Sequence, residues 1–220
     1  MNFGRLKDEL ELAVQDTSLH PYFDDWINDA VKEIAHDFEL PALKLKTPTT
    51  LATTESDWLY DMPATYHKKV FKCRNSEGYS IQIYDDIEEI EVIDYSHADT
   101  GDDVTNIAVE DGQIAIYPKA VDTLSLWFYR LPVDMTEDDD EPDGIPTAYA
   151  ERVIIPKVLV KNYRLLTDMA LSQPHKSIQY WDSRYKEGLY GTPGGDIGMI
   201  HYFAKLKGVK VGSGSRGRYI

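Results

Sequence analysis

NIAVEDGQIAIYP, residues 106–118, decides how the middle of this chain is read. Ile107 and Val109 lead up to Asp111-Gly112, Ile114, Ile116 and Tyr117 follow, and Pro118 closes the run. Asp-Gly supplies the left-handed backbone positions that a two-residue hairpin turn needs, with a twist that matches the flanking strands. The stretch predicts a β-hairpin. Working outward, TLSLWFYRLP (123–132) reads as a strand ending at Pro132, and YSIQIYD (79–85) as another after the turn signal NSEG. Alternating runs of this kind recur from about Leu43 to Val133. Half-exposed strands in that number predict a small antiparallel sandwich or barrel rather than a parallel sheet.

On both sides of this region the period changes from 2 to 3.6. In GRLKDELELAVQD, Leu6, Leu10 and Val14 fall at helical spacing. Phe23, Trp26, Ile27, Ala30, Val31, Ile34 and Phe38 form a stronger apolar stripe, with Asp24, Asp25, Asp29, Lys32 and Glu33 opposite. Pro21 suits the first turn of that helix, and Pro41 helps to end it. Helical patterning returns at Ile145 and runs to about residue 168, with Pro156 inside it predicting a kink or break near Ile155. A last helix is expected over 174–188, stopping by Gly191. The expected fold class is α+β: helices over 2–15 and 21–38 packing against 145–168 and 174–188 as an α-helical bundle, with the antiparallel β domain inserted between. Trp26, Ile27, Ala30, Val31 and Ile34 are expected to face the 145–168 helix.

With 220 residues and 42% hydrophobic content, the chain can bury a real core. Its formal charge of −15 disfavours nucleic-acid binding, which draws its affinity from Lys and Arg. A lone cysteine, Cys73, excludes an intrachain disulfide and points to a reducing compartment or indifference to redox. MNFGRLKDELELAV turns acidic by Asp8, unlike a signal peptide, and no apolar run approaches the roughly 20 residues that span a bilayer. A soluble protein made in the cytoplasm is expected.

Two acidic runs invite a metal. Residues 85–103 hold nine carboxylates and one His, and residues 137–143 hold six carboxylates in seven positions. Neither has the alternation of a calcium loop, so both read as solvated, self-repelling loops without a metal. Histidines 20, 36, 67, 97, 175 and 201 include no i, i+4 pair. There is no Gly-x-Ser-x-Gly elbow and no phosphate-binding glycine spacing. No catalytic residue, cofactor or metal is predicted. Tyr60, Tyr79, Tyr84, Tyr117, Trp127, Tyr129, Tyr180, Trp181, Tyr185 and Tyr190 are more aromatics than one core needs, and such rings are favoured at protein interfaces.

Several segments, in order, resemble one family. They are FDDWINDAVKEIAHDFELP (23–41), WLYDMPATYHKKV (58–70), IAVEDGQIAIYP (107–118), LSLWFYRLPVDMTEDDDEPDGIPTAYAERVI (124–154) and SIQYWDSRYKEGL (177–189). In the fourth, a strand ending in Tyr-x-x-Pro leads through an acidic loop to an Ile-Pro that opens a helix. The pattern is similar to that of the head-to-tail adaptor, or connector, proteins of tailed bacteriophages. The resemblance implies a structural protein of the virion with no enzyme activity and no cofactor. It implies a ring of copies, expected to be a dodecamer, beneath the portal protein at the head-tail junction. Such a ring extends the DNA channel, docks the tail or nozzle protein, and passes packaged DNA without sequence-specific binding or membrane contact. Pro156 departs from the family's long helix, and the basic end of the chain lies beyond the resemblance.

That end has a character of its own. From Thr192 onward five bases face one acid, Asp196, for +4, so the first 191 residues carry −19. In IHYFAKLKGVKV (200–211) apolar and basic positions alternate, which suits a strand added to a partner's sheet edge. VGSGSRGRYI (211–220) can thread a narrow crevice. The expected organisation is 1–42 as N-terminal helices, 43–133 as the β domain, 134–191 as C-terminal helices and 192–220 as an extended basic arm. The arm's expected portal-binding residues are Tyr202, Phe203, Lys205, Lys207, Lys210, Arg216, Arg218, Tyr219 and Ile220. Two other readings stay open at this point: a β-domain module recognising a glycan or peptide, and a metal-dependent hydrolase using the acidic runs.

Overall fold

The computed structural model describes residues 1–14, 16–167, 178–192 and 195–206. The predicted hairpin is β5 (Asn106–Glu110) and β6 (Gln113–Tyr117), antiparallel, with Glu110 opposite Gln113. Asp111 and Gly112 take φ of 47° and 80°, the left-handed pair that the turn demands. The hairpin sits in a four-stranded sheet of order β2 (Leu59–Asp61), β6, β5, β4 (Gln82–Tyr84). A second sheet orders β1 (Thr49–Ala52), β7 (Thr123–Arg130) and β3 (Tyr66–Arg74). Ile107, Ile114 and Ile116 from the first sheet share one buried cluster with Val70, Cys73, Leu124, Leu126 and Phe128 from the second. The inner faces of the two sheets therefore make one core.

One strand pair departs from the antiparallel expectation: β4 runs parallel to β5. Residues 85–105 join them and include helix α3 (Glu88–Ile93), so the connection is long enough for a crossover. Helical and strand elements together make the protein α+β. The chain divides into two compact units, Met1–Ile34 with Val133–Ile220, and Ala35–Pro132.

The helical unit starts with α1 (Phe3–Ala13), whose N-terminus is capped by the Asn2 side chain accepting from Arg5 N at 3.2 Å. Phe3, Leu6 and Leu10 are buried along its length. Helix α2 covers Phe23–Asp37 and buries Phe23, Ile27, Ala30, Val31 and Ile34. Trp26 is only half-buried and stacks on Tyr22 instead. Pro21 lies in a separate 3-10 turn over Thr17–Tyr22, whose start is capped when Asp16 accepts from Ser18 N at 2.9 Å. Lys161 pairs with Asp29 and Glu33 at 3.1 and 2.6 Å, so α2 lies beside α4 (Thr147–Lys161).

The stretch expected as one helix to 168 is two, α4 and α5 (Tyr163–Thr167). The break falls at Asn162, whose side chain donates to the Val158 carbonyl at 3.0 Å and competes with the helix ladder. No break occurs at Pro156: α4 runs through it. The proline removes the donor that would serve the Arg152 carbonyl. That carbonyl instead packs directly against Gly188 of α6 (Ile178–Tyr190), a position with no Cβ to exclude it. Residues 174–177, expected as the start of this helix, lie outside the described residues.

The acidic run of 137–143 is a tie rather than a free loop. Its Asp140 and Asp138 carbonyls accept from Phe3 N at 2.8 Å and Gly4 N at 2.9 Å, serving otherwise orphaned amides at the start of α1. Lys7 pairs with Asp138 at 2.7 Å and Lys32 with Asp134 at 2.7 Å. Carboxylates placed near a helix N-terminus are also favoured by its dipole. The amides of Glu137 and Thr136 hold the Asp140 carboxyl below its ordinary pKa. Asn28 of α2 fastens the same segment by donating to Met135 O at 3.0 Å and accepting from Met135 N at 2.9 Å. Asn28→Ala leaves both Met135 groups without these partners, so it is expected to destabilise the helical unit by about 1–3 kcal/mol, read from urea unfolding.

Candidate functional site

Of the residues expected to form a binding arm, Tyr202, Phe203 and Lys205 lie on helix α7 (Met199–Leu206), where alternation had predicted an extended segment. Met199 and Phe203 are buried, four residues apart on one helical face, and α7 packs on α6. Tyr202 meets Tyr149 of α4 with ring centroids 5.5 Å apart. The approach to α7 is tied as well. Arg152 pairs with Asp196 at 2.7 Å, Thr192 N donates to Asp196 O at 3.2 Å, and Gly198 sits against the backbone of residues 189–191. Lys207, Lys210, Arg216, Arg218, Tyr219 and Ile220 lie outside the described residues.

Helices α1, α4 and α6 enclose a groove of about 360 Å³. Leu12, Ile155, Pro156 and Trp181 give it an apolar wall, and Glu9, Glu151, Arg152, Arg184, Glu187 and Asp196 add charge. Among the described residues no His, Cys or Lys lines it, and both of its arginines are engaged, Arg152 with Asp196 and Arg184 with Glu187. None of its described residues forms a nucleophile-base pair.

Cys73 is buried at 1% exposure, and burial pushes its thiol up to about 12, so it is no nucleophile at neutral pH. Burial, together with the hydrogen bond to Glu39, likewise pushes the Tyr129 hydroxyl up to about 12. Lys68 donates to the carbonyls of Ala35, His36 and Phe38 at 2.5, 2.8 and 2.9 Å, a cation closing the C-terminal end of α2. Burial lowers its pKa, and that of the neighbouring His67. No group of three potential metal ligands occurs among the described residues.

A protein-family model described as SU10 adaptor protein matches residues 1–196. The chain belongs to the SU10 adaptor protein family. The match spans both compact units and agrees with the resemblance to phage head-to-tail adaptors. It makes this a structural, joining protein of a virus, one that associates with portal and tail proteins at the head-tail junction. A comparison with curated proteins finds no match. No described helix of this SU10 adaptor is long and apolar enough to cross a membrane.

For an adaptor, the working parts are surfaces. The aromatics singled out from sequence divide. Tyr129 is buried, whereas Tyr79 and Tyr190 are 66% and 41% exposed. Trp127 and Phe71 are half-buried, each beneath a lysine: Lys72 over Trp127 at 4.1 Å and Lys44 over Phe71 at 3.9 Å. The most exposed ring among the described residues, Tyr95 at 89%, was missed. It follows a helical turn rich in glutamate, and composition alone does not separate an exposed tyrosine from a solvated acidic run.

Proposed function

We propose that this protein is the structural head-to-tail adaptor of a tailed phage, and that its copies form a ring beneath the portal. The ring extends the DNA channel and gives the tail its docking surface. Membership of the SU10 adaptor protein family over residues 1–196 carries this reading. The formal charge of −15 supports it, because an acidic wall repels the duplex and lets it slide without sequence-specific contact. The portal contact falls to the segment after α7, where Lys207, Lys210, Arg216 and Arg218 can seek carboxylates, and Tyr219 and Ile220 an apolar pocket. Tyr202 and Phe203 are not assigned to that contact, since they are engaged with the helical unit.

The test uses the purified portal protein. The full chain is expected to co-sediment with it and to appear as rings by electron microscopy. A chain ending at Leu206 keeps Phe203 in place, so it should show the same circular dichroism and yet lose portal binding. A full-length chain that neither binds the portal nor forms rings would overturn the adaptor reading. Undiminished binding by the shortened chain would remove only the arm.

A further inference from the structure

The β unit has two outer faces of opposite charge. On β7, Leu124, Leu126 and Phe128 enter the shared core, so Trp127 between them points outward. On β5 and β6, Ile107, Ile114 and Ile116 point inward, while Ala108 and Ala115 point outward, where Ile90 of α3 covers them. The α3 face and the Trp127 face therefore lie on opposite sides of the sandwich.

On the α3 side, Ile90 is sealed at 1% exposure, but Val92 and Tyr95 stand 87% and 89% exposed. Exposing such side chains contributes nothing to folding. The tip is nonetheless held in place. Asp94 accepts from Ser96 N, Ser96 Oγ and Asp99 N at 3.2, 2.9 and 2.9 Å, and His97 stacks on Trp58 at 3.6 Å between ring centroids. A rigid aromatic on a preorganised loop loses little entropy when it docks. Residues 75–118 around it contain twelve Asp or Glu and no Lys or Arg.

The opposite face is basic. Strand β3 carries Lys68, Lys69, Lys72 and Arg74 with no acid. Lys68 and Lys69 are engaged within the unit, with the end of α2 and with Glu39. Lys44 and Lys72 remain over the half-buried rings of Phe71 and Trp127, and Arg74 is exposed at the end of the strand.

We propose that the α3 tip of one copy seats on the Trp127 face of the next, head to tail around the ring. This inference rests on the ring reading above and names the surfaces that build the ring. Val92 and Tyr95 pack against the Phe71 and Trp127 rings, and Glu88, Glu89 and Glu91 meet the lysines. Two different patches on one subunit make a heterologous contact, and repetition of that contact closes a ring. A second copy fits because the complementary charges belong to the same chain.

A charge exchange in the full-length protein tests it, by sedimentation velocity and by electron microscopy on the purified portal protein. Glu88→Lys with Glu91→Lys reverses the tip, and Lys44→Glu with Lys72→Glu reverses the face. Each variant alone should self-associate roughly thirtyfold more weakly or worse, the size of losing an interface hot spot. An equimolar mixture should restore assembly, because reversed tips meet reversed faces and native tips meet native faces in alternation. Tyr95→Ala should weaken assembly without moving the unfolding midpoint. The inference is overturned if either reversed variant assembles like the wild type. It is equally overturned if the mixture stays dispersed while both variants keep native circular dichroism. If the wild type itself forms no ring, alone or on the portal, the ring reading fails, and this contact with it.

Discussion

Gly188→Ala is expected to destabilise the helical unit by about 2–3 kcal/mol, although alanine is the better helix former by about 1 kcal/mol. A Cβ at position 188 of α6 would overlap the Arg152 carbonyl oxygen, with Arg152 C at 2.9 Å and Val153 Cγ2 at 3.1 Å. The first two obstacles are backbone, so the helices must move apart rather than a side chain rotate. Urea unfolding measures the loss, and Ser183→Ala at an exposed site of the same helix serves as the control that gains from propensity. The two helices are coupled through Pro156. Pro156→Ala returns a donor to the Arg152 carbonyl and draws it back toward its own axis. The cost of Gly188→Ala should therefore shrink in the double variant, a non-additivity expected of residues that share a contact. A Gly188→Ala chain as stable as the wild type would refute this account of how α4 carries its proline.

Ile34→Ala should cost about 2–5 kcal/mol, the range for deleting most of a fully buried aliphatic side chain. Ile34 is 0% exposed near the end of the apolar stripe of α2. Trp26→Ala removes a larger ring from the same stripe, yet the ring is half-buried and leans on Tyr22 and Phe23 with centroids 6.2 and 5.8 Å away. Its expected cost is smaller, about 1–2 kcal/mol, because the exposed half gives up little transfer free energy. The order of the two midpoints in urea is the decisive reading. A more damaging Trp26→Ala would mean that tryptophan, and not the aliphatic rows, anchors α2.

Residues close in sequence settled most of the architecture. The apolar spacing from Phe23 to Ile34 is enough to call for an amphipathic helix, because 3.6-residue periodicity is a property of the local chain. Asp111-Gly112 likewise determines its hairpin, since φ above zero is accessible there at low cost and the flanking residues alternate. The tail's charge and the strands' aromatic content are also plain in the residue string. Their partners are not.

Tertiary structure alone decided the remainder. Pro156 should stop a helix by every local rule, and it does not, because the freed carbonyl finds a glycine on α6. The acidic run after β7 should be free in solvent, and it is not, because the Phe3 and Gly4 amides donate to its Asp140 and Asp138 carbonyls, and Asn28 grips the adjoining Met135 across a separation of 107 residues. IHYFAKL alternates like a strand, yet it is helical where Met199 and Phe203 find burial together. Strand β4 takes a parallel partner because α3 carries the chain back over the sheet. In each case the local preference is worth about a kilocalorie or a few, whereas a distant hydrogen bond or a buried ring offers as much again. Local pattern prevails where nothing remote competes with it, and packing decides wherever a distant partner meets the same backbone group or side chain.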